Sequence, residues 1–114
     1  MNISQTKLKP PRKICVVTGS RAEYGLLRRL IGLIHRSTEF ELQLIATGSH
    51  LSKKYGETYK EIETDGFLIN WKIDLLLLSD TPLGISKSTS LGLIGFAEAF
   101  DSLNPDLILV LGDN

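Results

Sequence analysis

Apolar residues fall along this chain in two alternating styles. Short unbroken runs of branched side chains are separated by longer stretches in which apolar positions recur every three or four residues. The first run, Ile14-Cys15-Val16-Val17, predicts a strand over 13–18 covered on both faces, as in a parallel sheet, and it stops at Gly19. Ser20-Arg21-Ala22-Glu23 has the S-x-x-E spacing of a capping box, so a helix is expected to begin at once. Leu27, Leu30, Ile31 and Ile34 follow at helical spacing, with Arg28, Arg29 and Arg36 largely on the other side and an end near Ser37 or Thr38. Glu41 to Thr47 predicts a second strand, closed by Gly48.

Leu51, Tyr55, Tyr59 and Ile62 predict a second helix running to Glu63, with Asp65-Gly66 as its exit turn. Phe67 to Ile73 reads as a third strand and Asp74 to Gly84 as a loop. A third helix is expected over Ser86 to Leu103, packing through Leu93, Phe96, Ala97, Phe100 and Leu103. Its Gly92 and Gly95 either cost about 1 kcal/mol each or mark close packing. Asn104-Pro105-Asp106 ends it, and Leu107 to Leu111 forms a fourth strand that feeds Gly112-Asp113. This alternation predicts an α/β doubly wound parallel sheet of Rossmann-like type with right-handed crossovers. The expected organisation is a flexible segment over 1–12 and one domain over 13–114.

Ligands in such folds bind outside the carboxyl ends of the strands. Three polar tips share that edge: Gly19-Ser20-Arg21, Gly48-Ser49-His50 and Gly112-Asp113. In the first, a helix amino terminus and a guanidinium suit a phosphate, although an ordinary tight turn with a solvated arginine fits equally. The segment is neither G-x-G-x-x-G nor a Walker loop, which speaks against a dinucleotide or a nucleoside triphosphate. His50 reads as a phosphate or sugar contact, or as a local packing histidine. Asp113, following a wholly apolar strand, suits acid–base work or a sugar hydroxyl, or is a turn aspartate beside Gly112. Ser86-Lys87-Ser88-Thr89-Ser90 fits a phosphate or simply a hydroxyl-rich cap.

Composition narrows the partners. Thirteen basic and thirteen acidic residues cancel over 114 positions, so no overall field favours nucleic acid or an anionic membrane. The aromatics are not interleaved with a basic stripe. One cysteine, Cys15, sits in an apolar run and reads as core, and no close histidine pair has metal-ligand spacing. No metal and no cofactor are expected. Met1 to Arg12 is polar, basic and lacks the apolar stretch of an export signal, so the cytoplasm is the expected compartment.

Three ordered motifs stand out: Val16-Val17-Thr18-Gly19-Ser20-Arg21-Ala22-Glu23-Tyr24-Gly25, Thr47-Gly48-Ser49-His50-Leu51-Ser52 with Tyr55-Gly56, and Pro105-Asp106-Leu107 leading to Leu111-Gly112-Asp113. Together they resemble the UDP-N-acetylglucosamine 2-epimerase family, in its hydrolysing branch of sialic-acid-type sugar synthesis. The resemblance implies the first half of a glycosyltransferase-B type enzyme that binds a UDP-sugar between two domains. It implies loss of the C2 proton with departure of UDP, then addition of water to the glycal, giving N-acetylmannosamine. By similarity Arg21 contacts the phosphates, with Gly19, Ser20 and Gly25 at that loop, His50 lines the cleft, and Asp113 is the catalytic carboxylate. The family's arginine after Gly-Asp is replaced by Asn114.

The second domain is expected to lie outside this sequence, and the chain alone is expected to be inactive. An uncovered fourth strand favours self-association, so a homo-oligomer is expected. A flavodoxin-like nucleotide-binding module without proton transfer, and a ligand-free dimerising domain, fit the same pattern.

Overall fold

A computed structural model describes residues 10–53, 56–74 and 82–111, of which 82–91 as backbone only. The elements run β1 (Arg12–Thr18), α1 (Arg21–Arg36), β2 (Phe40–Thr47), α2 (Tyr59–Thr64), β3 (Trp71–Ile73), α3 (Pro82–Leu103) and β4 (Leu107–Val110), with a 3-10 turn over Gly48–Leu51. The four strands form one all-parallel sheet in the order β3-β2-β1-β4. Such pairing requires a crossover between neighbours, and helices supply it on both faces. The expected doubly wound architecture is therefore present.

Alternation along the strands divides the core into two layers. Ile14 and Val16 of β1 and Leu44 of β2 face α1, where Tyr24, Leu27, Ile31 and Ile34 cover them and Ile62 joins from α2. Cys15 and Ile45 face the other way and pack with Ile73 and Ala99, flanked by Phe96, Phe100 and Leu103 of α3. Cys15 is fully buried and its thiol is pushed up to about 11 by that burial, which keeps it an unreactive core residue.

Local chemistry moves several boundaries from their expected places. Leu30 of α1 is 39% exposed, because the stripe turns through Tyr24, Leu27, Ile31 and Ile34 instead. The single helix expected to run to Glu63 is split: Gly56 and Glu57 both adopt positive φ (81° and 49°), which breaks a right-handed helix before Tyr59. Tyr55 lies outside the described residues. Only Trp71–Ile73 of the expected third strand is paired. Just before it, Asn70 imitates the ladder: its N–H donates to the Leu44 carbonyl at 2.9 Å and its Oδ1 accepts the Leu44 N–H at 2.8 Å.

α3 begins at Pro82, earlier than Ser86, since a proline is well placed in a first turn whose N–H groups have no partner. Its Leu93 is 66% exposed and Ala97 is also outward, while Ala99 takes the buried position. Close packing explains Gly95: a Cβ there would sit 2.9 Å from Ile73 Cγ2. β4 pairs with β1 alone, and Leu107, Ile108 and Val110 are 54%, 45% and 61% exposed. The apolar run that defines β4 is thus only partly covered among the described residues.

These environments separate two helix glycines. Gly25 of α1 is exposed with nothing within 4 Å of its would-be Cβ, so Gly25→Ala should raise stability by up to about 1 kcal/mol. Gly95→Ala should lower it by about 1–3 kcal/mol, because overpacking against Ile73 outweighs the propensity gain. Urea unfolding midpoints at unchanged slope measure both.

Candidate functional site

The carboxyl ends of β1 and β2 are stapled together at Gly19. Its carbonyl accepts the Ser49 N–H at 3.0 Å and the Ser49 hydroxyl at 3.2 Å. Gly48 turns the chain there with φ +65°, and a Cβ on it would lie 2.7 Å from the Gly19 carbonyl oxygen. No other residue type fits that approach without moving backbone. Gly19 also donates its N–H to Glu23 Oε1 at 3.0 Å.

Helix α1 starts from this staple. Ser20 is its N-cap, with Oγ accepting the Glu23 N–H at 3.2 Å. The capping box is shifted by one residue, because Glu23 reaches past Ser20 to Gly19. Among the described residues nothing accepts from the N–H groups of Ser20, Arg21 and Ala22. Those donors and the positive end of the helix dipole lie at the sheet's carboxyl edge, an arrangement whose chemistry suits an anion. Arg21 stands beside them, 72% exposed at its side chain, with Nε 3.0 Å from Glu61 Oε2. Gly25 is not in the loop but inside α1, on its exposed side.

His50 is fully buried. Its Nε2 lies 2.9 Å from Thr18 Oγ1 and its Nδ1 2.9 Å from Thr58 Oγ1, while Tyr24 packs edge-on at 6.4 Å. Thr18 Oγ1 also donates to the Ser20 carbonyl at 3.4 Å, so its lone pairs are left to accept from Nε2–H, and Nδ1 accepts from Thr58. One directional chain thus joins the segment ahead of α2 to the N-cap of α1. Burial holds His50 below its ordinary value near 6.5, opposed by the charges of Glu23 and Glu61 and a bond with the Ser20 backbone. A ligand reaches this ring only by displacing a threonine.

The fourth strand brings the chain to the same edge, since β4 is parallel to β1 and Val110 lies opposite Val17. Asp113 and Gly112 lie outside the described residues, as do the side chains of Ser86 to Ser90.

The sequence profile described as UDP-N-acetylglucosamine 2-epimerase covers residues 33–114. The chain belongs to the UDP-N-acetylglucosamine 2-epimerase family. It is 48% identical over 102 residues to a Campylobacter jejuni relative named GDP/UDP-N,N'-diacetylbacillosamine 2-epimerase (hydrolyzing), covering 90% of this chain and 26% of the relative. It is 41% identical to the UDP-N,N'-diacetylbacillosamine 2-epimerase (hydrolyzing) of Legionella pneumophila, over 90% of this chain and 27% of that protein. The chain therefore spans about a quarter of the length of these curated relatives. The crystal structure of a Neisseria meningitidis UDP-GlcNAc 2-epimerase bound to UDP-GlcNAc shares the fold at TM-score 0.68 and 15% identity, covering 90% of this chain and 26% of that one.

For this member of the epimerase family, sequence reasoning brought Gly19, Ser20 and Arg21 to one tip. It missed Thr18, Thr58 and Glu61, which hold His50 and Arg21. A threonine ending a buried strand was the available signal for Thr18; nothing in the spacing links Thr58 or Glu61 to their partners. Thr47 ends β2 in the same way, 5% exposed, and its Oγ1 has no hydrogen-bond partner among the described residues.

His50 generates a pH test. The native fold keeps the ring neutral, whereas the unfolded chain binds a proton as pH falls through about 6.5. Stability should therefore decline as pH drops below that value and be insensitive to this group above it. The stability difference between the parent and His50→Gln, from urea unfolding, should be largest near pH 7.5 and shrink toward pH 5.5.

Proposed function

We propose that this chain supplies the nucleotide-diphosphate-binding part of a hydrolysing UDP-sugar 2-epimerase. The observation that carries the reading is the set of helix-terminal N–H donors beside Arg21 that have no acceptor among the described residues, in a chain 48% identical to a named hydrolysing 2-epimerase. The substrate is a UDP-linked 2-acetamido sugar, UDP-N-acetylglucosamine in the simplest case. The names of the two relatives above favour its diacetamido analogue as a second reading.

In this proposal the β-phosphate sits on the N–H groups of Ser20, Arg21 and Ala22, and the Arg21 guanidinium turns from Glu61 to the phosphates. An exposed ion pair is worth about 0–1 kcal/mol, whereas a guanidinium–phosphate contact is bidentate and charge-assisted, so the exchange favours the ligand. Gly19 lies at the turn that leads into these donors. His50 acts from beneath, fixing the Thr18–Ser20 segment.

Departure of UDP breaks the anomeric C–O bond as the C2 proton is taken, giving the glycal. Water then adds across its double bond, with OH to C1 and H to C2, to release the free 2-epimeric sugar. Asp113 is the catalytic carboxylate at that centre. Donors fixed on the leaving diphosphate stabilise the charge that develops there. The remaining groups of the reaction belong to the rest of the epimerase, which works in the cytoplasm as a homo-oligomer.

Titration calorimetry with UDP, FMN and NAD tests the reading. UDP should bind in preference to the other two, Arg21→Ala should weaken it about tenfold or more, and Glu61→Gln should strengthen it by freeing Arg21. Equal binding of FMN, or indifference to Arg21→Ala, would overturn it. The isolated chain should release no UDP from UDP-N-acetylglucosamine.

A further inference from the structure

A second basic feature lies on α1, beyond the helix-terminal tip. Arg28, Arg29, Gly32 and Arg36 form one wall of an open groove of about 390 Å³, with Asp65 and Phe67 opposite. Arg28 is fixed: its Nε lies 2.9 Å from Asp65 Oδ2, a carboxylate that also accepts the Tyr24 hydroxyl, and its guanidinium lies 5.3 Å from the Tyr24 ring centre. Those bonds hold the Asp65 carboxyl below its ordinary range, led by the Tyr24 hydroxyl, so it stays ionised and neutralises Arg28.

Arg29 and Arg36 have no carboxylate partner among the described residues. Two guanidiniums seven positions apart share one side of a helix, so their charges add within the groove. Arg36 is held over Gly32, where a Cβ would come 3.1 Å from its Nη1. The missing side chain at Gly32 gives the Arg36 guanidinium room against the helix. Phe67 gives an apolar wall, itself braced edge-on by His35 at 5.4 Å.

We infer that this groove is a second anion site, for a phosphorylated small molecule gripped by Arg29 and Arg36 with its apolar part against Phe67. In a chain of zero net charge, an uncompensated pair of forked donors around an open space is matched by a compact dianion. The site lies apart from Arg21 and does not depend on the epimerase reading.

The test follows backbone amide shifts of the 15N-labelled chain during titration with pyrophosphate, and separately with uridine monophosphate, at constant ionic strength. Saturating shifts are expected at Arg29, Gly32 and Phe67, apart from those at Gly19 to Ala22. Arg29→Gln/Arg36→Gln should weaken the groove response at least about tenfold and leave the tip response in place. Arg29→Lys/Arg36→Lys should weaken it by a smaller factor, because charge remains and the fork is lost. Arg21→Ala should do the reverse, weakening the tip response about tenfold and leaving the groove response in place, so the two readings fail separately. Shifts that fail to saturate, survive the double glutamine substitution, or appear only with an acidic peptide would overturn the proposal.

Discussion

The functional edge of this protein depends on how Gly19 is held at both ends. Its N–H is fixed by a carboxylate of the helix that follows, and its carbonyl by the turn after the neighbouring strand. Because β1 is paired with β2 over its whole length from Arg12 to Thr18, this fastening leaves the start of α1 little freedom. The N–H groups that remain unpaired are consequently fixed in direction, and a site whose donors are already oriented loses less entropy when it binds. Gly48 is the residue this arrangement cannot exchange, since both its positive φ and its approach to the Gly19 oxygen exclude a side chain.

Beneath the edge, the hydroxyl–imidazole–hydroxyl chain does what an apolar core residue cannot. Thr18, His50 and Thr58 come from three segments, and each satisfies a buried polar atom of the next. A buried network of this kind is sensitive to loss of any member, because the orphaned partners stay desolvated. Thr47 shows the opposite condition: its hydroxyl is buried at the end of β2 with no partner among the described residues.

Much of the fold was legible because it rests on local rules. Buried strand runs, the S-x-x-E cap and the glycine after each early strand gave the parallel sheet and its polar edge. The errors came where tertiary contacts or backbone conformation override periodicity. Leu51 to Glu63 has helical spacing, yet Gly56 and Glu57 in the left-handed region divide it. Leu93 matched the apolar period of α3, but β3 is so close to this helix that small residues, Gly95 and Ala99, occupy the contact. Of the site, Arg21 was legible as a guanidinium at a helix start, while its partner Glu61 lies forty positions away and becomes visible only when α2 docks.

Of the two roles the sequence leaves open for His50, ligand contact or local packing, its surroundings favour packing. The G-S-H tip does lie at the carboxyl edge, but a 3-10 turn folds the imidazole inward, under Thr18 and away from solvent. A histidine so placed influences a ligand through the segment it holds. Loss of its two hydrogen bonds would loosen the Ser20 carbonyl and, through it, the first turn of α1, without removing any of the outward N–H donors. Polar residues along one edge are thereby divided between those that present donors outward and those that keep the donors in position.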